Sequence, residues 1–190
     1  MTGVQTCALP ICRAARAGAV RAALRLAEYD EARREAQALL EAAPEDPEAI
    51  ALNADALWAA GLFQEAEEGY QKALRLSSSL PRGHHGLAKS LAARSRLSDA
   101  LAEAQSALRS APRDLEFHHT VGAIYERMHK FEEAVGSYTN YMNLLPNRDR
   151  SDQAAWSRFE IRFLRSFGDQ EPFQLSAQDA DATHAVDFRV

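Results

Sequence analysis

The sequence contains only two cysteines among its 190 residues, and both lie within the first twelve positions. This count excludes a framework of several disulfides and a four-cysteine zinc site. Long apolar runs are also missing, since no stretch approaches the roughly 20 consecutive apolar residues that a membrane-spanning helix needs. Basic residues are in the minority, because 22 Lys and Arg face 27 Asp and Glu and give a formal charge of −5. A nucleic-acid partner is therefore disfavoured, since binding to polyanions normally requires a clustered basic surface.

What the sequence does contain is an internal repeat of about 34 residues, the interval from Ala32 to Ala66. Small, large apolar and acidic residues each recur at this interval in four copies: Ala32, Ala66, Ala100 and Ala134; Tyr29, Phe63, Leu97 and Phe131; Glu31, Glu65, Asp99 and Glu133. Apolar residues at spacings of three and four predict amphipathic helices, and prolines at the boundaries predict where helices stop and start. We expect the alanines to lie where two helices approach closely, with the large residue filling the space beside them. Asp30 and Ser98 are expected to cap the second helix of their units.

A helix–turn–helix unit with these columns resembles the tetratricopeptide repeat (TPR), whose unit has about 34 residues. The resemblance covers four units, residues 13–46, 47–80, 81–114 and 115–148. In the fourth unit the signature positions of the family are held by Gly122, Tyr125, Ala134, Tyr138 and Pro146. The sequence departs from the family pattern at Asn53, Ser78 and Tyr141, where Leu, Pro and Ala are usual. The resemblance implies an all-α fold, an α-solenoid of TPR-like helix–turn–helix repeats.

Three further segments follow the repeats. Residues 149–168 are predicted to form a C-terminal capping helix, since stacked repeats leave their last apolar face bare and this segment has an aromatic stripe. Residues 169–184 have little periodicity and are predicted to be a linker. Residues 185–190 alternate apolar and polar side chains, which predicts a strand and is interpreted as the start of a truncated β domain.

The N-terminal segment differs from everything that follows it. Residues 1–11 resemble the translation of a common DNA-sequencing adapter, so residues 1–12 are predicted to be non-native. The native N-terminus is then expected to be missing, and the chain is interpreted as a fragment of a longer protein. The Ala- and Arg-rich composition hints at a GC-rich bacterial genome. The sequence indicates no compartment.

Residues that could support catalysis or bind a metal do not form a site. The sequence has neither a Gly-x-Ser-x-Gly nucleophile elbow nor a Gly-rich phosphate loop. Two histidine doublets, His84–His85 and His118–His119, are one repeat interval apart and so fall on equivalent helices of neighbouring units, without the further ligand that a metal site needs. We expect His84 and His118 to pack between helices. We predict no catalytic residue, no metal and no cofactor.

The resemblance also implies a binding surface. In this family the first helix of each unit lines a concave groove that holds peptides or partner helices. The residues that would line the groove here are Arg21, Arg25, Asp55, Trp58, Arg82, His85, Lys89, His119, Glu126 and Arg127. The third unit is locally cationic, which suits an acidic group or a C-terminal carboxylate. Trp58 is expected either to anchor a partner or to pack against the neighbouring unit.

We therefore predict a scaffold module that binds a protein or peptide in its groove without catalysis. The carboxylate clamp that some family members use is disfavoured, because its slots hold Ala17, Arg21 and Leu52. A second reading makes the chain the non-catalytic N-terminal arm of a multidomain bacterial enzyme, such as a retropepsin-like aspartyl protease. Its catalytic domain would then be missing here, since no Asp-Thr-Gly or Asp-Ser-Gly motif is present. A third reading, an array that mainly mediates self-association, fits the same pattern.

Overall fold

The computed structural model describes residues 10–145 and residue 163 of the chain. Residues 10–145 form eight α-helices and contain no strand. The helices are α1 (Pro10–Arg25), α2 (Tyr29–Ala42), α3 (Pro47–Ala59), α4 (Phe63–Leu76), α5 (Pro81–Ala93), α6 (Leu97–Ser110), α7 (Leu115–Arg127) and α8 (Phe131–Leu144). The first residues of α3, α5 and α7 are one repeat interval apart, so the helices form pairs that follow the sequence repeat. The predicted all-α repeat fold is confirmed.

The chain divides into two compact units, Met1–Ala111 and Pro112–Val190. In the first unit, α1 packs on α2, α3 on α4 and α5 on α6, while α2 contacts α3 and α4 contacts α5. The first helices of the pairs also lie side by side in this unit, because α1 contacts α3 and α3 contacts α5. In the second unit, α7 packs against α8.

The column of small residues lies at the helix–helix seams. Ala32, Ala66, Ala100 and Ala134 are each completely buried, with 0% of their surface exposed. A side chain larger than a methyl group would hold the two helices of a pair further apart. The alanine column therefore marks the same structural position in each pair, as the sequence predicts.

Proline begins α3 and α5, as the sequence predicts, whereas the predicted caps of the second helices differ from the structure. Pro47 and Pro81 occupy the first turn of α3 and α5, and Asp46 caps α3 by accepting a hydrogen bond of 3.0 Å from the Glu48 N–H. The predicted caps Asp30 and Ser98 are wrong. Each lies one residue inside its helix, and the N-cap residues of α2 and α6 make no side-chain cap hydrogen bond. The turns before these helices are closed by backbone bonds instead.

Two of the four residues in the column of large apolar residues are less buried than predicted, whereas Leu97 and Phe131 are half-buried and Phe131 packs against the Ala134–Tyr138 cluster. Tyr29 is 46% exposed and Phe63 is 54% exposed, so neither fills the seam beside the alanine. Each is the first residue of its helix, at the end of the pair, where solvent reaches the side chain. The ring of Phe63 nevertheless contacts Trp58 edge-on, with 4.7 Å between ring centroids.

The two predicted packing histidines bond to the turn that precedes their own helix. Nε2 of His84 lies 2.9 Å from the carbonyl oxygen of Ser78, and Nε2 of His118 lies 2.9 Å from that of Pro112. In both cases the acceptor is six residues earlier in the sequence. Nδ1 of His84 is in addition 2.6 Å from a carboxylate oxygen of Glu103, which ties α5 to α6.

Several sequence predictions fall outside the described residues. These are most of the adapter-like segment 1–12, the capping helix 149–168 except Phe163, the linker 169–184 and the strand 185–190. They stay predictions, and so does the multidomain-enzyme reading that rests on the strand. Within residues 10–145, no helix combines the length and the apolar character that crossing a membrane requires.

Candidate partner-binding surface

The candidate surface of the first unit is formed by side chains from α1, α3 and α5, the three first helices. We call it the first-helix surface, and its residues are Arg21, Glu48, Asp55, Trp58, Arg82 and Lys89. These side chains contact one another across the helix boundaries. The direct contacts of α3 with both α1 and α5 bring them together.

Arg82 is the centre of an ion-pair network on this surface. Its Nε donates to Glu48 at 3.0 Å, and its Nη1 donates to Asp55 at 2.8 Å. The hydroxyl of Tyr70 on α4 donates to the second oxygen of Asp55 at 2.7 Å. Burial lowers the pKa of Arg82, but Asp55 and Glu48 outweigh burial and raise that pKa above its ordinary value. Two carboxylates thus offset the charge of Arg82, which links α5 to α3 and is not a free cation for a ligand.

Trp58 and Lys89 lie next to each other at the end of α3. The indole is half-buried and packs against the buried cluster that α3 and α4 share. Nζ of Lys89 is 5.8 Å from the centroid of the Trp58 ring, which is a cation–π distance. Lys89 has no carboxylate partner within residues 10–145. Its charge is therefore not neutralised by an ion pair in the described part of the chain.

Arg21 and Arg25 extend the basic character of the surface along α1. Both side chains are exposed. Nη1 of Arg21 is 3.6 Å from a carboxylate oxygen of Glu48, an ion pair at long range. Arg25 ends α1 and has no ion-pair partner among the described residues. Arg21 can reorient toward a ligand at little cost, because exposed ion pairs contribute about 0–1 kcal/mol.

His85 occupies a different place from the one that the sequence predicts. Only 4% of its surface is exposed, so a partner cannot reach the imidazole. Burial lowers its pKa well below the usual range, and the neighbouring cations Lys89 and Arg82 lower it further. The imidazole is therefore neutral near pH 7, and we leave His85 out of the first-helix surface.

The remaining three predicted residues belong to α7 in the second unit. Glu126 accepts a hydrogen bond of 3.0 Å from the Tyr138 hydroxyl. His119 is half-buried, with its ring centroid 5.5 Å from that of Tyr138 and 5.7 Å from that of Tyr141. Burial lowers the pKa of His119, although Glu126 opposes the shift. Arg127 ends α7 and is exposed.

Two residues of the network were not identified from the sequence, Glu48 and Tyr70. A signal for Glu48 was available, because Glu48 and Arg82 are 34 residues apart and so hold the same position in neighbouring first helices. Opposite charges at one position of adjacent parallel helices predict an ion pair. Tyr70 gave no such signal, because a tyrosine at an apolar position is equally consistent with a core residue.

Charge is segregated between the two kinds of helix in the first unit. Among the first helices, α1 has four arginines and no acid, α3 has two acids and no base, and α5 has two bases and no acid, which gives +4 in total. Among the second helices, α2 has four acids and two bases, α4 three acids and two bases, and α6 two acids and one base, which gives −4. The net positive charge of the first helices thus comes from α1 and α5, whereas α3 is acidic like the chain as a whole.

Helix–turn–helix pairs that repeat at this interval, with a buried alanine in each second helix, define the tetratricopeptide-repeat fold. The described part of the chain has this fold. In this part no group of three His, Cys, Asp or Glu side chains is arranged to hold a metal ion.

Solved structures share the fold. A thermophilic TPR protein from Thermus thermophilus superimposes with a TM-score of 0.67 at 20% identity, over 91% of this chain and 87% of that one. MamA from Desulfovibrio magneticus gives a TM-score of 0.60 at 17% identity, over 91% and 92% of the two chains. The first TPR of Spaghetti (RPAP3), bound to the HSP90 peptide SRMEEVD, gives 0.58 at 17% identity, over 66% and 94%. No family model and no curated protein sequence matches the chain.

Proposed function

We propose that this chain is a scaffold module that binds an acidic peptide or protein segment on its first-helix surface and catalyses no reaction. The observation that carries the proposal is the charge segregation of the first unit, in which the first helices have a charge of +4. Arg82 is offset by two carboxylates and Arg16 pairs with Glu35 on α2. The cations that the proposal assigns to the ligand are therefore Arg21 and Lys89 of this surface, together with Arg25 next to it on α1. An acidic segment complements this potential, and charge complementarity gives specificity and a fast on-rate.

The fold supports the same conclusion. A structural neighbour, the first TPR of Spaghetti (RPAP3), is bound to a peptide whose sequence SRMEEVD contains three acidic residues and one basic residue. The shared fold supports peptide binding on first helices that lie side by side. The surface proposed here is built on this chain's own Trp58 and Lys89.

Charge reversal at Lys89 tests the proposal. Fluorescence anisotropy would measure binding of a labelled acidic probe, Gly-Asp-Glu-Phe-Glu-Asp-Gly, and of a basic probe with Lys at each acidic position. We expect the acidic probe to bind more tightly than the basic one, and added salt to weaken it. Lys89→Glu should lower the affinity for the acidic probe about fivefold or more, because it replaces an attraction by a repulsion.

Lys72→Glu is the matched control. Lys72 is exposed on α4, a second helix, so the variant makes the same change of net charge away from the first-helix surface. Equal losses in the two variants would show that net charge alone governs binding. Equal affinities for the acidic and basic probes in the unmodified chain would contradict the proposed function.

A further inference from the structure

Phe63 lies beside the first-helix surface and is more exposed than a core residue. The sequence predicts that it fills a helix seam, yet 54% of its surface is exposed at the start of α4. Its ring meets Trp58 at an interplanar angle of 64°, edge to face. Two aromatic rings, one half-buried and one half-exposed, thus form an apolar corner at the end of α3. We call Trp58, Phe63 and Lys89 the aromatic corner.

The aromatic corner combines apolar surface with an available positive charge. Nζ of Lys89 is 5.8 Å from the Trp58 ring, and within residues 10–145 no carboxylate pairs with it. Rigid aromatic side chains lose little conformational entropy on binding and dominate many interfaces. A cation at the rim of an apolar surface attracts a carboxylate of the ligand. The occupant that fits both features is an apolar side chain with an acidic residue next to it.

We infer that the aromatic corner is an anchor subsite that selects acidic peptides containing an apolar or aromatic residue beside a carboxylate. This inference rests on the proposed function and narrows its ligand class. Lys89 holds the carboxylate, while Trp58 and the exposed face of Phe63 hold the apolar side chain. Acidic peptides without an apolar residue bind by charge alone and bind more weakly.

A pair of peptide probes distinguishes binding of an apolar side chain at the aromatic corner from the general electrostatic attraction of acidic peptides. The first is the acidic probe Gly-Asp-Glu-Phe-Glu-Asp-Gly, and the second has Ser in place of Phe at the same charge. The unmodified chain is expected to bind the Phe probe about fivefold more tightly than the Ser probe. Phe63→Ala should remove most of this preference, because it lowers affinity for the Phe probe and leaves affinity for the Ser probe unchanged.

Tyr29→Ala is the matched control for Phe63→Ala. Tyr29 holds the same repeat position in the preceding pair, and it is exposed to a similar extent, 46%. We expect it to leave both affinities unchanged, and thermal melts of both variants would verify folding. Equal binding of the Phe and Ser probes to the unmodified chain overturns the anchor subsite but leaves the proposed function standing. The subsite is also overturned if Tyr29→Ala removes the preference as strongly as Phe63→Ala. If neither probe binds, the proposed function itself fails.

Discussion

At the scale of single residues, one position in every pair adopts a left-handed backbone conformation. Ala27, Gly61, Ser95 and His129 have φ between 57° and 80°, and they follow one another at the repeat interval. Each closes the turn between the two helices of its pair. In the second pair the Gly61 N–H donates to the Trp58 carbonyl at 3.0 Å, and the Leu62 N–H donates to the Leu57 carbonyl at 2.9 Å. This pattern is the Schellman motif, which favours glycine at its left-handed residue.

Ala27→Gly is expected to stabilise the protein, and Gly61→Ala to destabilise it. Side chains with a Cβ pay about 1–2 kcal/mol in the left-handed region, and glycine does not. A Cβ at Gly61 would have no other atom within 4 Å, so the change tests the backbone alone. Urea unfolding should show a gain of about 0.5–1 kcal/mol for Ala27→Gly and a loss of about 1 kcal/mol for Gly61→Ala. Shifts in the same direction would contradict this account of the turns.

At the scale of helices, close approach is achieved by placing glycine under a tyrosine ring. Tyr70 on α4 is completely buried, and a Cβ at Gly86 on α5 would overlap its ring. Tyr138 on α8 is buried in the same way over Gly122 of α7, where a Cβ would lie 2.6 Å from the ring. The hydroxyls of both tyrosines donate to a carboxylate of a first helix, Asp55 or Glu126. The glycines thus allow each tyrosine to pack with its hydroxyl satisfied.

Gly86→Ala is therefore expected to destabilise the protein by about 1–3 kcal/mol through overpacking against Tyr70. The control is Gly136→Ala on the exposed face of α8, where a Cβ would have no atom within 4 Å. That variant should raise stability by up to about 1 kcal/mol, because alanine is the better helix former. Thermal unfolding of the two variants measures both effects. A neutral Gly86→Ala would mean that α4 and α5 are not as close as described.

At the scale of the whole molecule, burial of histidine couples folding to pH. Burial lowers the pKa of both His85 and His119 below 6.5, the ordinary value. As the pH falls through about 6.5, these two histidines therefore bind protons in the unfolded chain but not yet in the folded chain. The stability contributed by these two groups is complete above that pH. It is lost as the pH falls from there toward their lowered values in the folded protein.

We expect the free energy of unfolding to be lower at about pH 5.5 than at about pH 7.5, the interval in which a normal histidine titrates. His85→Gln should reduce this difference, because it removes one of the two buried groups. Urea titrations of both proteins at the two pH values measure it. The comparison is of pH dependence and not of absolute stability, so a general destabilisation by the variant does not affect the result. An unchanged pH dependence in His85→Gln would contradict the burial of a neutral imidazole.

Local residue patterns were sufficient to predict the repeat and its helices. The recurring alanines, the amphipathic spacing and the boundary prolines act through short-range sterics and through burial of one helix face. Eight helices in pairs follow from them, and the structure confirms this fold. The predicted caps Asp30 and Ser98 lie two residues after the actual N-cap residues Glu28 and Arg96, because the turns before these helices are closed by backbone bonds and not by a capping side chain.

Only the tertiary structure decided which of the predicted surface residues are exposed, which are buried and which form ion pairs with other helices. The resemblance to the TPR family implies that Arg82 and His85, which are on one first helix, both line the groove. Packing against α3 pairs Arg82 with Glu48 and Asp55, and the folded chain leaves only 4% of His85 exposed. Packing also leaves Phe63 exposed against Trp58, although its column predicts a core residue. Periodicity fixes which residues share a helix face, but charge pairing and exposure depend on side chains from other helices, which only the folded chain brings together.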